Sequence, residues 1–194
     1  MKRYDLINLL IEKKDYTSYL EVGIHEGVCF NKVNCLHKVG VDIAPLISDE
    51  RIITTDSATF FAHNKETFDI IFIDASHNGK DALLDAVLAL AFLNEGGVIV
   101  MHDCAPTKES ETIVPRPKPH GRWNGDVYKA WIVLRKTLGK RMQVVDIDEG
   151  CGIIYKSEFE DPLNFDDEIN FETYINNRVE LLNLVSYDTF YNSL

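Results

Sequence analysis

The segment FDIIFID at 68–74 is apolar at almost every position, the pattern of a strand covered on both faces rather than one with a solvent side. Around it, short apolar runs alternate with longer segments of helical period. A first helix places Leu6, Leu9 and Leu10 on one face. A strand at 19–22, a helix at 28–36 and strands at 38–43 and 51–54 follow. After the strand at 68–74 come a helix at 80–93, stopped by Asn94-Glu95-Gly96-Gly97, and a strand at 98–101. Elements in that order predict right-handed crossovers and a parallel sheet with helices on both faces.

The pattern changes after Asp103. Residues 104–126 carry Pro106, Pro115, Pro117 and Pro119, which exclude a regular helix, and a loop that long inside one domain reads as functional. A helix at 127–138 precedes strands at 142–147 and 152–156, joined by the turn Asp148-Glu149-Gly150 into an antiparallel pair. Residues 1–156 therefore read as the main body. Residues 157–194 form an acidic segment, then a helix through Phe171, Tyr174, Ile175, Val179 and Leu182 that docks on the same domain or on a second subunit.

Composition narrows the class. The 194 residues suit one domain, and 45% hydrophobic with 26% charged residues is ordinary for a globular chain. A net charge of −11 argues against general binding to nucleic-acid backbones. No stretch approaches the ~20 apolar residues of a membrane span. Cys29, Cys35, Cys104 and Cys151 show no metal-binding spacing, so a reducing, cytoplasmic setting is expected. The charge is uneven: 157–177 holds Glu158, Glu160, Asp161, Asp166, Asp167, Glu168 and Glu172 with no Lys or Arg, while 108–141 is basic. The basic stretch contains the long loop, which leaves a phosphate-bearing small substrate open.

Glu21-Val22-Gly23-Ile24-His25-Glu26-Gly27 lies where the first strand turns into a helix, the place where open parallel sheets bind ligands. Asp42 ends the second strand, placed to accept ribose hydroxyls, and Asp56 follows the third, placed for an adenine amino group. A dinucleotide site wants G-x-G-x-x-G, and His25 stands at the second glycine, which disfavours a nicotinamide enzyme. The turn resembles that of the class I S-adenosylmethionine-dependent methyltransferases. The resemblance implies an α/β, Rossmann-like fold with a mostly parallel seven-stranded sheet and an antiparallel last strand. It also implies S-adenosyl-L-methionine as cofactor, held by Glu21, Gly23, Gly27, Asp42, Asp56, Ser57 and Asp74.

Asp74-Ala75-Ser76-His77 and His102-Asp103 end the fourth and fifth strands, so four ionisable groups converge on one sheet edge. An Asp-x-x-His here, with acids after the fifth strand, is similar to the sugar O-methyltransferases. That likeness implies His77 as general base with Asp74 beside it, and Asp74, His102 and Asp103 at the positions of a divalent cation, magnesium or manganese. His102 departs from the paired acids, and hard cations prefer oxygen ligands. The loop run His120-Gly121-Arg122-Trp123-Asn124 reads as a substrate lid, with His120, Arg122, Trp123, Asn124 and His102 toward the acceptor. The expected activity is methylation of a sugar hydroxyl, on a monosaccharide, a nucleotide sugar or a glycan terminus. A catechol-like acceptor and a non-catalytic binding module are the alternatives.

Overall fold

Strand β4 (Phe68–Ile73) is the apolar run of the sequence and sits at the middle of the sheet. The computed structural model describes residues 1–117 and 121–194. β1 (Ser18–Val22), β2 (His37–Asp42), β3 (Ile52–Thr54), β4 and β5 (Leu93–Met101) are all parallel. β6 (Lys140–Val145) and β7 (Cys151–Phe159) follow, β7 running antiparallel to both β5 and β6. A two-residue strand, β8 (Leu184–Val185), adds an eighth member alongside β6, giving the order β3-β2-β1-β4-β5-β7-β6-β8. The expected seven strands are thus extended by one short edge strand from the C-terminal segment.

Side-chain alternation divides the core in two. Leu20, Val22, Ile71, Ile73, Ile99 and Met101 face α3 (Ser57–His63), α4 (Gly79–Ala91) and α5 (Val127–Thr137). Tyr19, Ile70, Phe72, Val98 and Val100 face α1 (Arg3–Lys14) and α2 (Val28–Lys32), where Leu6, Ile7, Leu10 and Phe30 are fully buried. Burying each such side chain contributes about 1.5–3 kcal/mol, so α1 is firmly seated. Its N-terminus, with Arg3, then lies over the carboxyl edge of the sheet.

Several elements depart from expectation for identifiable reasons. α2 stops at Lys32 because the Lys38 ammonium, from β2, takes up the carbonyls of Phe30 and Val33 at 2.6 and 2.8 Å. α3 was not legible; Asp56 caps it by accepting from Thr59 N at 2.8 Å. The run Asn94–Gly97 does not stop α4 but belongs to β5, which starts at Leu93 opposite Phe68 and is irregular before Val98. The C-terminal helix is three: α6 (Phe171–Asn176), α7 (Arg178–Leu182) and α8 (Tyr187–Tyr191). The break at Asn177 shifts the phase, so Tyr174, Leu181 and Leu182 are buried while Val179 is exposed. The Tyr174 hydroxyl donates to Pro106 O and the Trp131 indole donates to Leu182 O, tying this segment to the body. All four cysteines are free, and among the described residues no helix is long and apolar enough to cross a membrane.

Candidate active site

A cleft of about 540 Å³ opens at the carboxyl ends of β1, β2 and β4, beside α3 and α4. Gly23 makes it: its φ is +96°, and a Cβ there would overlap the Asp74 carbonyl, so only glycine lets the β1 turn lie against the end of β4. Asp42 lines the cleft while organising the turn, accepting from the amides of Ile24, His25 and Ala44 at 2.7, 2.8 and 2.7 Å. Burial pushes the Asp42 carboxyl up, but these three amides outweigh it and hold it below its ordinary value. Asp56 and Ser57 border the cleft, Ser57 Oγ donating to Asp85 at 2.5 Å.

Three residues expected here lie elsewhere, Asp74 in the small cavity beside the cleft, and Glu21 and Gly27 away from both. Glu21 is fully buried beneath the turn on the α1 face, where the Tyr19 hydroxyl donates to it, and it does not line the cleft. Burial raises its carboxyl to about 8, so it is held largely in the neutral form. The reason is strand alternation: Glu21 shares the Tyr19 side of β1, away from the α3/α4 side where the cleft opens. Gly27 begins α2 with φ +70° and packs on Ile47, outside the lining. Conversely, Asp81, Leu84 and Asp85 of α4 line the cleft and went unread, because on a helix they look like an ordinary solvated stripe.

Beside the cleft, and sharing Ala75 and Ser76 with it, lies a small cavity of about 10 Å³ bounded by Asp74, His77, His102 and Asp103. That is room for about one water. The loop after β5 packs beside it, against His77. The Trp123 ring stacks on His77 with centroids 4.4 Å apart and planes 7° apart, and the His77 Nδ1 lies 3.1 Å from Trp123 O. Gly125, at φ +63°, permits this contact, since any Cβ would collide with His77 O. His77 Nε2 is 3.3 Å from Asp103 Oδ2. Asn124, expected toward an acceptor, is instead fully buried and donates from Nδ2 to Asp103 Oδ1 at 3.0 Å. Arg122 pairs with Glu149 and lies 3.7 Å from Glu111, latching the loop to the β6–β7 turn. His120 lies outside the described residues.

Two residues not singled out as site residues complete the cluster. Arg3 Nε is 3.3 Å from Asp74 Oδ2, and Arg3 Nη1 is 3.1 Å from Asp148 Oδ2. His102 Nδ1 lies 3.3 Å from Asp74 and 3.1 Å from Asp103. Burial alone would lower the His102 imidazole, yet Asp74 and Asp103 outweigh it and raise it well above its ordinary value. Asp148 is pushed up by burial but held far below the usual carboxylate range by His102, Lys2 and the Arg3 amide.

Comparison with known proteins accounts for this architecture. A family model described as a methyltransferase domain matches residues 36–104, from the start of β2 to just past β5. A caffeoyl-CoA O-methyltransferase candidate from Staphylococcus aureus is 20% identical over 79% of this chain and 82% of its own, with a TM-score of 0.60. The S-adenosylhomocysteine-bound methyltransferase PaMTH1 from Podospora anserina is 17% identical over 82% and 78%, TM-score 0.60. CalS10, an amino pentose methyltransferase from Micromonospora echinaspora solved with S-adenosylmethionine, is 14% identical over 79% and 89%, TM-score 0.58. The chain has the class I methyltransferase fold. No curated protein matches it in sequence.

That fold implies a nucleoside cofactor without phosphates, and the residues fit one. The class I cleft here is lined by Asp42, Asp56, Asp81 and Asp85 and, among the described residues, by no Lys or Arg. Such a lining repels a pyrophosphate and suits a sulfonium. The fit to a divalent cation is poor. Ligand atoms of Asp74, His102 and Asp103 do lie within 4.8 Å of one another. His102 Nδ1 is buried without a hydrogen-bond partner, so it is not what excludes an ion; against one stand the nitrogen in the donor set, since hard cations prefer oxygen, and the Arg3 guanidinium, 3.3 Å from Asp74 Oδ2 and 3.4 Å from His102 Nε2.

Proposed function

We propose that the protein is an S-adenosylmethionine-dependent O-methyltransferase whose acceptor is a sugar hydroxyl, on a monosaccharide, a nucleotide sugar or a glycan terminus. The observation that carries this reading is the His77–Asp103 pair, 3.3 Å apart in a small cavity that shares Ala75 and Ser76 with the acidic, phosphate-averse cleft. When bound, the cofactor supplies a methyl group activated on a sulfonium.

The chain's own residues then have a small task, to orient a hydroxyl and take its proton. His77 receives the proton at Nδ1, which Trp123 O leaves when the loop opens, and Asp103, buried, held by Asn124 and 3.3 Å from Nε2, steadies the charge that develops on the ring. Trp123 covers one face of His77 and Arg122 latches the loop to Glu149, so the loop opens to admit the acceptor. Indole faces stack on sugars, and Lys108, Arg116 and Arg122 around a second cavity of about 300 Å³ give the loop a cationic side for a phosphate-bearing acceptor. The description of CalS10 as an amino pentose methyltransferase agrees with this acceptor class. A phenolic acceptor would take the indole face that the Trp123–His77 stack gives up when the loop opens, in line with the description of the Staphylococcus aureus neighbour.

The test is transfer of labelled methyl from S-adenosylmethionine to a panel of monosaccharides, nucleotide sugars and catechols, with product mass as readout. Methylated sugar is the expected product. Methylation of catechols alone moves the assignment to the phenolic class, and retained cofactor binding with no product from any acceptor leaves a binding module.

A further inference from the structure

The acidic cluster at the reacting end already contains its counter-charge. Arg3 enters it from the first turn of α1, a helix fixed by Leu6, Ile7 and Leu10, all fully buried. Its guanidinium bridges Asp74 and Asp148 at 3.3 and 3.1 Å, and its backbone N–H donates to Asp148 Oδ2 at 2.9 Å. Lys2 Nζ holds the other Asp148 oxygen at 2.8 Å. Asp148 itself is a non-glycine residue at φ +41°, in a turn where Glu149 also has a positive φ of +72°. A backbone held in that region is costly and persists where the surroundings demand it. Here it aims a carboxylate at Arg3.

We infer that Arg3 is the resident cation beside this cluster, a positioning residue whose fixed guanidinium, set between Asp74 and Asp148, repels a divalent ion from the adjoining Asp74, His102 and Asp103. Two permanent positive charges already serve the cluster, Lys2 on Asp148 and Arg3 on Asp74 and Asp148, while His102 stands between Asp74 and Asp103. A dication entering the cluster meets Arg3 at close range and finds Asp74 and Asp148 engaged on both sides. A guanidinium also presents a planar array of donors, which orients two carboxylates as a hydrated ion does not. The activity proposed above then proceeds without added metal. The claim about Arg3 rests on that reading only for its catalytic consequence, since cation binding is measured with neither cofactor nor acceptor present.

Manganese binding to the full chain, by electron paramagnetic resonance and titration calorimetry, tests it. Wild type is expected to bind no stoichiometric ion. Arg3→Met is expected to gain one site, with affinity raised about tenfold or more, lost again in Arg3→Met/Asp74→Asn. Arg3→Lys, which keeps the charge, should behave as wild type. Should Arg3→Met not fold, Arg3→Gln repeats that arm with a neutral hydrogen-bonding head. Wild type taking up one ion that Asp74→Asn abolishes overturns the inference, as does a neutral Arg3 variant that binds no more manganese than wild type.

Discussion

The His77 imidazole lies flat on the Trp123 indole, 4.4 Å between centroids, with its Nε2 turned to Asp103. One face of the proposed base is therefore covered by the loop, and its far nitrogen is matched to a buried carboxylate. Replacing His77 by Ala removes the proton acceptor and should lower turnover by roughly 10²–10⁴. Affinity for S-adenosylhomocysteine should barely change, because His77 does not line the larger cleft. Trp123→Ala loses the stack, about 0.5–1.5 kcal/mol, together with the indole hydrogen bond to Ile113 O and the Arg116 contact, and should cost roughly tenfold, with Trp123→Phe intermediate. Steady-state rates with calorimetric binding separate the two effects; undiminished turnover in His77→Ala removes it from the mechanism.

Asn124 acts through Asp103. Its side chain is fully buried and bonds Asp103 Oδ1, so Asn124→Ala leaves a buried carboxylate short of a partner. The expected loss of stability is about 1–3 kcal/mol in denaturant unfolding. Asn124→Asp sets a second acid against Asp103 and should be worse in both stability and rate. Equal stability of all three proteins would show that Asp103 is held by other means.

Much of this was readable in advance, and the unread parts share a cause. β4 announced itself because a doubly covered strand has no polar face, and Gly23 because a sharp strand-to-helix turn needs it. Asp74, His77, His102 and Asp103 could be grouped since the ends of adjacent parallel strands must meet. Arg3 and Asp148 could not, because 145 residues separate them and nothing local distinguishes Lys2-Arg3 from an exposed basic pair. Asn124 was read as facing an acceptor because loop amides usually do; the buried Asp103 turns it inward. Glu21 was misdirected for a simpler reason, since strand alternation decides which side of β1 it takes and the sequence does not say on which side the cleft lies.

Glu21 gives the fold a pH signature. Burial lifts its carboxyl from 4.5 to about 8 in the folded protein, while in the unfolded chain it ionises at its ordinary value. Between those limits the folded state retains a proton that the unfolded state has released, so its contribution is full below about pH 4.5 and declines as pH rises toward 8, by up to roughly 1.4 kcal/mol per unit. Urea unfolding from pH 5 to 8 should show this decline in wild type and a shallower one in Glu21→Gln, which keeps a neutral partner for Tyr19. Identical slopes would mean that Glu21 is ionised in the fold.

The central claim is that the acidic cleft beside Gly23 and Asp42 holds a phosphate-free nucleoside cofactor. Titration calorimetry with S-adenosylhomocysteine measures this directly. One molecule bound per chain, with binding strongly weakened in Asp42→Ala, is the predicted result. No heat of binding from folded wild-type protein would contradict it.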